Sequence, residues 1–145
     1  MKKMRSFIIF FVIVILCLVS YDQSRSFYEL SKGNYITVWK RLGGQCYIVF
    51  GKYYGVGKPS DYVRTTNSNA VTVIMDSSPE FDYVISNDYG ESLSINTSHK
   101  IDYYDYKERD TFLSTYYANG KILSNYDYLQ IDIKEKLVVV NGTIR

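Results

Sequence analysis

Two hydrophobic patterns divide the chain. Phe7 to Val19 is an unbroken apolar run, FIIFFVIVILCLV, carrying no charge and no helix breaker, and it follows the basic stretch Met1 to Arg5. From Asn34 onward, Val, Ile, Thr and Tyr alternate with polar residues at period two, the pattern of half-buried strands. The expected architecture is therefore α+β and mainly β. An N-terminal hydrophobic helix precedes an antiparallel meander of six or seven strands with one helix at about 106–118.

Seven strands are expected, at Tyr35 to Arg41, Cys46 to Lys52, Ala70 to Asp76, Phe81 to Asn87, Ser92 to Asn96, Leu129 to Lys134 and Leu137 to Val140. Gly43-Gly44, Ser77-Ser78-Pro79 and Asp88-Tyr89-Gly90 lie between successive candidates and carry turn chemistry. Short connections of this kind force antiparallel neighbours, because a parallel pair needs a long crossover. The helix is read from Asp105 and Glu108, spaced as a capping box, followed by the stripe Phe112, Leu113, Tyr116 and Tyr117. Its rival takes Asn119-Gly120 as a hairpin turn. A second short helix is expected over Ser26 to Ser31 as a juxtamembrane stalk.

The apolar run has the form of a targeting signal. Thirteen residues make about 20 Å of helix against a hydrocarbon core of roughly 30 Å. That shortness favours a cleaved signal peptide. Of the candidate cuts, the one after Leu18-Val19-Ser20 is mediocre and the one after Ser24-Arg25-Ser26 is distant from the apolar run, and this keeps an uncleaved anchor open. Phe7, Phe10, Phe11, Val14, Leu16 and Val19 are the expected membrane-segment residues. Either outcome places residues 27–145 outside the cytoplasm as one domain, because the positive N-terminus stays inside. Acylation of Cys17 is disfavoured by Leu16 before it, and a soluble core helix by the lack of a polar face.

Charge then removes one class of function. The chain is +2 overall, but Lys2, Lys3, Arg5 and Arg25 lie in or beside the apolar run with only Asp22 against them, so residues 27–145 hold 13 cations and 14 anions, net −1. No basic footprint for nucleic acid remains. Richness in Tyr, Ile, Lys and Asn points to an AT-rich bacterial or phage genome.

Candidate chemistry thins out on inspection. GKYYGVGKPS, Gly51 to Ser60, fails as a nucleotide loop, since Lys52 stands at the first glycine of a Walker pattern and Pro59 at its magnesium-binding hydroxyl. The dinucleotide pattern fails at Ser60. His99 is the sole histidine and Cys46 the sole cysteine outside the apolar run, so no metal, cofactor or internal disulfide is expected. Cys46 with His99, or Asp102, Asp105, Glu108 and Asp110, are the only material for a small hydrolase, and capping and solvation explain the carboxylates better. Asn96 and Asn141 open glycosylation triplets that mean little in a bacterial chain.

What remains is 16 tyrosines. Tyrosine joins apolar area to a hydroxyl at low entropic cost and suits contact surfaces, although it is equally a favoured strand residue. The candidate site is Tyr53, Tyr54, Lys58 and Tyr62 on the 51–62 loop, within a non-enzymatic envelope domain expected to bind a protein, peptide or glycan. The other classes held open are the hydrolase and a phage- or defence-linked envelope factor acting through its apolar segment.

Overall fold

A computed structural model of the chain describes residues 2–22, 25–76 and 80–145, with side chains from Ser6 onward. It is mainly β with antiparallel sheets and two α-helices. Helix α1 spans Lys2–Asp22. There follow β1 (Ser26–Ser31), β2 (Asn34–Lys40), β3 (Gln45–Phe50), β4 (Tyr62–Thr66), β5 (Ala70–Met75), β6 (Tyr83–Asn87), β7 (Ser94–Asn96) and β8 (Ile101–Tyr104). Helix α2 (Arg109–Tyr116) precedes β9 (Tyr117–Ala118), β10 (Lys121–Ile122), β11 (Asp127–Asp132), β12 (Leu137–Val140) and β13 (Thr143–Ile144).

All seven expected strands form, but they do not make one meander. A five-stranded sheet runs β1-β2-β3-β4-β7 and a six-stranded sheet runs β13-β12-β11-β5-β6-β8, with β9 and β10 as a separate ribbon. The first four strands are a true meander. The chain then changes sheets at Asn69, which is fully buried, donates its side-chain amide to Thr65 Oγ1 at 2.6 Å and receives the Ile133 N–H on its carbonyl. Asp88-Tyr89-Gly90 is a second crossing and not a hairpin, since β6 pairs β8 in parallel while β7 joins the edge of the first sheet. The turn expected at Ser77-Ser78-Pro79 lies outside the described residues.

Period two explains why two sheets form. Leu30, Ile36, Val38, Cys46, Ile48 and Val63 point inward from the first sheet, and Val71, Val73, Ile85, Leu129, Ile131, Val138 and Val140 from the second, into one shared core. Ser26–Ser31, expected as a helix, is the edge strand β1, because its alternation sends Tyr28 and Leu30 into that core while its backbone pairs with β2. β4 was not expected: Arg64 interrupts its apolar pattern, yet Val63 is fully buried.

Both readings of 105–122 hold in succession. Asp105 caps a short 3-10 turn, Tyr106–Glu108, accepting from the Lys107 N–H at 2.8 Å and the Glu108 N–H at 3.2 Å, and the Glu108 carboxylate accepts from the Asp105 N–H. That turn leads into α2. Asn119 and Gly120, both at positive φ, then close the β9–β10 hairpin. Phe112 and Tyr116 of α2 seat on Ile74, Val84 and Ile122, covering part of the outer face of the six-stranded sheet.

Helix α1 packs differently. Its apolar side chains are exposed all round, Phe7 at 69% and Leu16 at 59% among them. Among the described residues no helix is long and apolar enough to cross a membrane.

Deleting the ring that seats α2 should cost far more than deleting its cap. In urea unfolding of the full chain in detergent, Phe112→Ala is expected to lose about 3–5 kcal/mol, and Asp105→Ala about 1 kcal/mol. Equal losses would mean that α2 contributes no packing.

Candidate functional site

On the outer face of the six-stranded sheet, three neighbouring strands change character at the same level. The row Val84, Ile74 and Tyr128 packs its apolar surface against α2 and its hairpin, while the next row, Ser86, Thr72, Gln130 and Val139, meets the hairpin through the Tyr117 hydroxyl. Helix α2 thus covers the apolar half and leaves Thr72, Gln130 and Val139 of the polar row on the floor of a cavity of about 240 Å³. Asp88, Tyr89, Arg109, Asp132 and Leu137 form its walls.

The floor is buried and internally bonded. Thr72 and Ser86 are inaccessible, the Ser86 hydroxyl donates to Asp88 Oδ1 at 3.3 Å, and the Thr72 hydroxyl to Oδ2 at 3.5 Å. Gln130 Nε2 donates to the Tyr117 hydroxyl at 2.7 Å, and the Tyr89 hydroxyl donates to Asp132 Oδ2 at 2.8 Å across the mouth. Burial pushes the Asp88 carboxyl above its ordinary value, against the attraction of Arg109 and the bonds from Ser86 and Thr72. The site therefore presents the Tyr89 hydroxyl, the Gln130 amide and a carboxyl of raised proton affinity, with one guanidinium at the rim. Sequence reasoning missed these residues. The visible signal was that Thr72, Ser86 and Gln130 each stand two positions from an apolar partner on the same strand face.

The tyrosine loop is placed elsewhere and is largely internal. Thr37 and Trp39 project from the outer face of the first sheet, and the Thr37 hydroxyl holds the 51–57 segment down, donating to the Gly51 carbonyl at 2.6 Å and accepting the Tyr53 N–H. Tyr53 lies half-buried against Trp39, and its hydroxyl donates to the Gly57 carbonyl. Gly55 passes so close to that ring that any Cβ there would collide with it. Tyr62 is buried edge-on against Tyr47, and Lys58 lies 4.7 Å above the Tyr62 ring. Tyr54 is exposed beside Phe27. The four residues thus share a neighbourhood but not one open surface.

The same aromatic face receives the end of α1. The Trp39 indole N–H donates to the Asp22 carbonyl at 2.5 Å, while the Asp22 carboxylate accepts from Arg41 Nη2 at 2.7 Å and from the Leu42 N–H at 2.9 Å. The Arg25 guanidinium lies 4.1 Å over the Trp39 ring and that of Arg41 lies 4.8 Å away, a pair of cation–π contacts. Arg25 also donates to the Gly55 carbonyl. Helix end, indole and loop are one bonded unit.

The hydrolase candidates do not converge. Cys46 is fully buried in the shared core, where burial pushes its thiol up to about 12. His99 is half-exposed, with Nδ1 3.4 Å from Asp82 and its ring edge against Phe50 and Tyr83. The Lys100 N–H, followed by His99, holds the Asp82 carboxyl below the usual carboxylate range. Asp105 and Glu108 are occupied in the capping box, and Asp102 stands by Tyr104. Among the described residues no three His, Cys, Asp or Glu side chains gather as a metal site.

Neither a family model, nor a curated protein, nor a solved structure matches the chain.

Asp88 sets a pH dependence of definite sign. A carboxyl whose folded value is raised binds its proton more tightly when folded, so its contribution is greatest in acid and is lost as pH climbs from the ordinary value of 3.8 through the raised one. Asp88→Asn should therefore gain stability relative to the parent as pH rises from about 4 to neutrality, measured as urea midpoints, and parallel profiles would refute the burial. Cys46 supplies a second check. In a Cys17→Ser chain, iodoacetamide at mildly alkaline pH should leave the native thiol unmodified and react after unfolding.

Proposed function

We propose that the chain is a single-pass membrane protein of the cell envelope, anchored by α1, whose β-rich domain outside the cytoplasm binds a protein, peptide or glycan. The observation that carries the anchor is the surface of α1. Twelve large apolar side chains between Phe7 and Val19 stand exposed. Leaving such side chains in water forgoes roughly 1.5–3 kcal/mol each, so the helix belongs in lipid. Its uncharged stretch, Ser6 to Tyr21, is 16 residues. That makes about 24 Å, and a thinned bilayer with a snorkelling basic head accommodates the shortfall.

The junction favours a retained anchor over a cleaved signal. A cut after Ser26 would remove Asp22 and Arg25, and with them the partners of Trp39, Arg41, Leu42 and Gly55. A cut after Ser20 would leave Asp22 in a frayed terminus. The binding role rests on the partly polar cavity lined by Thr72, Asp88, Tyr89 and Gln130, whose polar groups suit a neutral polar ligand such as a peptide backbone or a sugar. Scattered nucleophile and base candidates support binding over catalysis.

Cell fractionation tests the anchor. The intact chain is expected in the membrane pellet, resistant to carbonate extraction, with its N-terminal peptide present by mass spectrometry and its domain digested by protease added from the outside. Release by carbonate, or a mature chain beginning after residue 20 or 26, would overturn it.

A further inference from the structure

We propose that the β2–β3 turn, Lys40 to Gly44, is a second membrane contact, with Leu42 entering the headgroup layer of a phospholipid bilayer and Lys40 meeting its phosphates. The proposal rests on the reading that α1 lies in lipid. Given that, depth follows from covalent and hydrogen-bonded geometry.

The turn is fastened to the last residue of α1. Asp22 accepts from the Leu42 N–H at 2.9 Å and from Arg41 at 2.7 and 3.3 Å, so the turn has little freedom to swing away from the helix axis. Leu42 lines a shared cavity with Leu18 and Val19, the last residues of the apolar run. Whatever level of the bilayer holds Val19 therefore lies beside Leu42. The run is shorter than the hydrocarbon core, and a short span draws its flanks inward or thins the bilayer. Both responses bring the turn and the headgroups together.

The turn is built for such a layer. Leu42 is 47% exposed and projects from a tight Gly43-Gly44 connection, both glycines at positive φ, so it caps no core of its own. Lys40 and Arg41 precede it, and the sequence contains no acidic residue between Glu29 and Asp61. Arg41 is already paired with Asp22, which leaves Lys40 as the cation for a headgroup phosphate. Tyr21, which is exposed, stands at the same junction and is a residue type that settles at a membrane interface. The other end of β2 provides the contrast. Seven residues of strand carry the chain about 23 Å to the exposed Lys32-Gly33 turn, which among the described residues has no bond to α1 of the kind that ties Leu42 to Asp22.

The test uses the full chain with Cys17→Ser, since native Cys46 is buried, and an environment-sensitive fluorophore on Leu42→Cys or Lys32→Cys. Each is reconstituted in vesicles of phosphatidylcholine with a minor share of phosphatidylglycerol, with and without lipid bearing a shallow acyl-chain nitroxide. Emission from Trp39, the single tryptophan, verifies that the junction is intact in both variants. The expected result is co-flotation with vesicles, blue-shifted emission at position 42 and quenching several-fold stronger there than at position 32. Co-flotation with equal, water-like emission at both positions would overturn the turn contact and leave the anchor standing. Failure to float would overturn both.

Discussion

The constraint on which this molecule depends is the two-residue repeat of the strand, applied on both sides of a single aliphatic layer. Val71, Val73, Ile85, Leu129 and Ile131 meet Ile36, Val38, Ile48 and Val63 across that layer. With one cysteine in the domain, no cross-link supplements it, so cohesion comes from apolar burial and the backbone ladders. Every position of opposite parity is thereby turned outward. What the domain can do is decided by those outward positions.

The two outer faces are used in unlike ways. On the six-stranded sheet, α2 is too short to cover the whole face, and its Phe112 and Tyr116 claim the row built on Ile74 and Val84. The uncovered row keeps its hydroxyls and amide, and Asp88 is held there at the expense of its hydration. On the five-stranded sheet the covering is done by the 51–57 segment and by the end of α1, with Trp39 between two guanidinium groups. One face keeps an open cavity, and the other is closed by the chain that leads to the helix.

Much of the fold was legible because its signals are local. Alternation located seven strands, Gly43-Gly44 marked a hairpin, and the Asp105 and Glu108 pair marked a helix start, each dictated by residues within a few positions. The sheet changes were not legible. Nothing in Asp88-Tyr89-Gly90 itself distinguishes a hairpin from a crossing, and the difference lies in which distant edge receives β7. Ser26–Ser31 has the length of a stalk helix and becomes a strand because β2 offers it an edge. The tyrosines misled for a related reason, since composition cannot tell a ring packed on Trp39 from one facing water. The cavity on the other sheet was visible only as a shared level across three strands, which requires their register.

The order of strands in the six-stranded sheet also imposes a schedule. Strand β5, near its centre, borders β6 on one side and β11 on the other, and β11 is among the last segments made. A chain emerging from its amino end can close the β1 to β4 meander early, while Val71, Val73 and Ile85 wait uncovered, with β5 offering an unpaired edge, until the C-terminal strands arrive. Ribosomal pausing or premature termination in the last quarter of the polypeptide would expose a sticky half-sandwich, which makes the final segment the gatekeeper against aggregation.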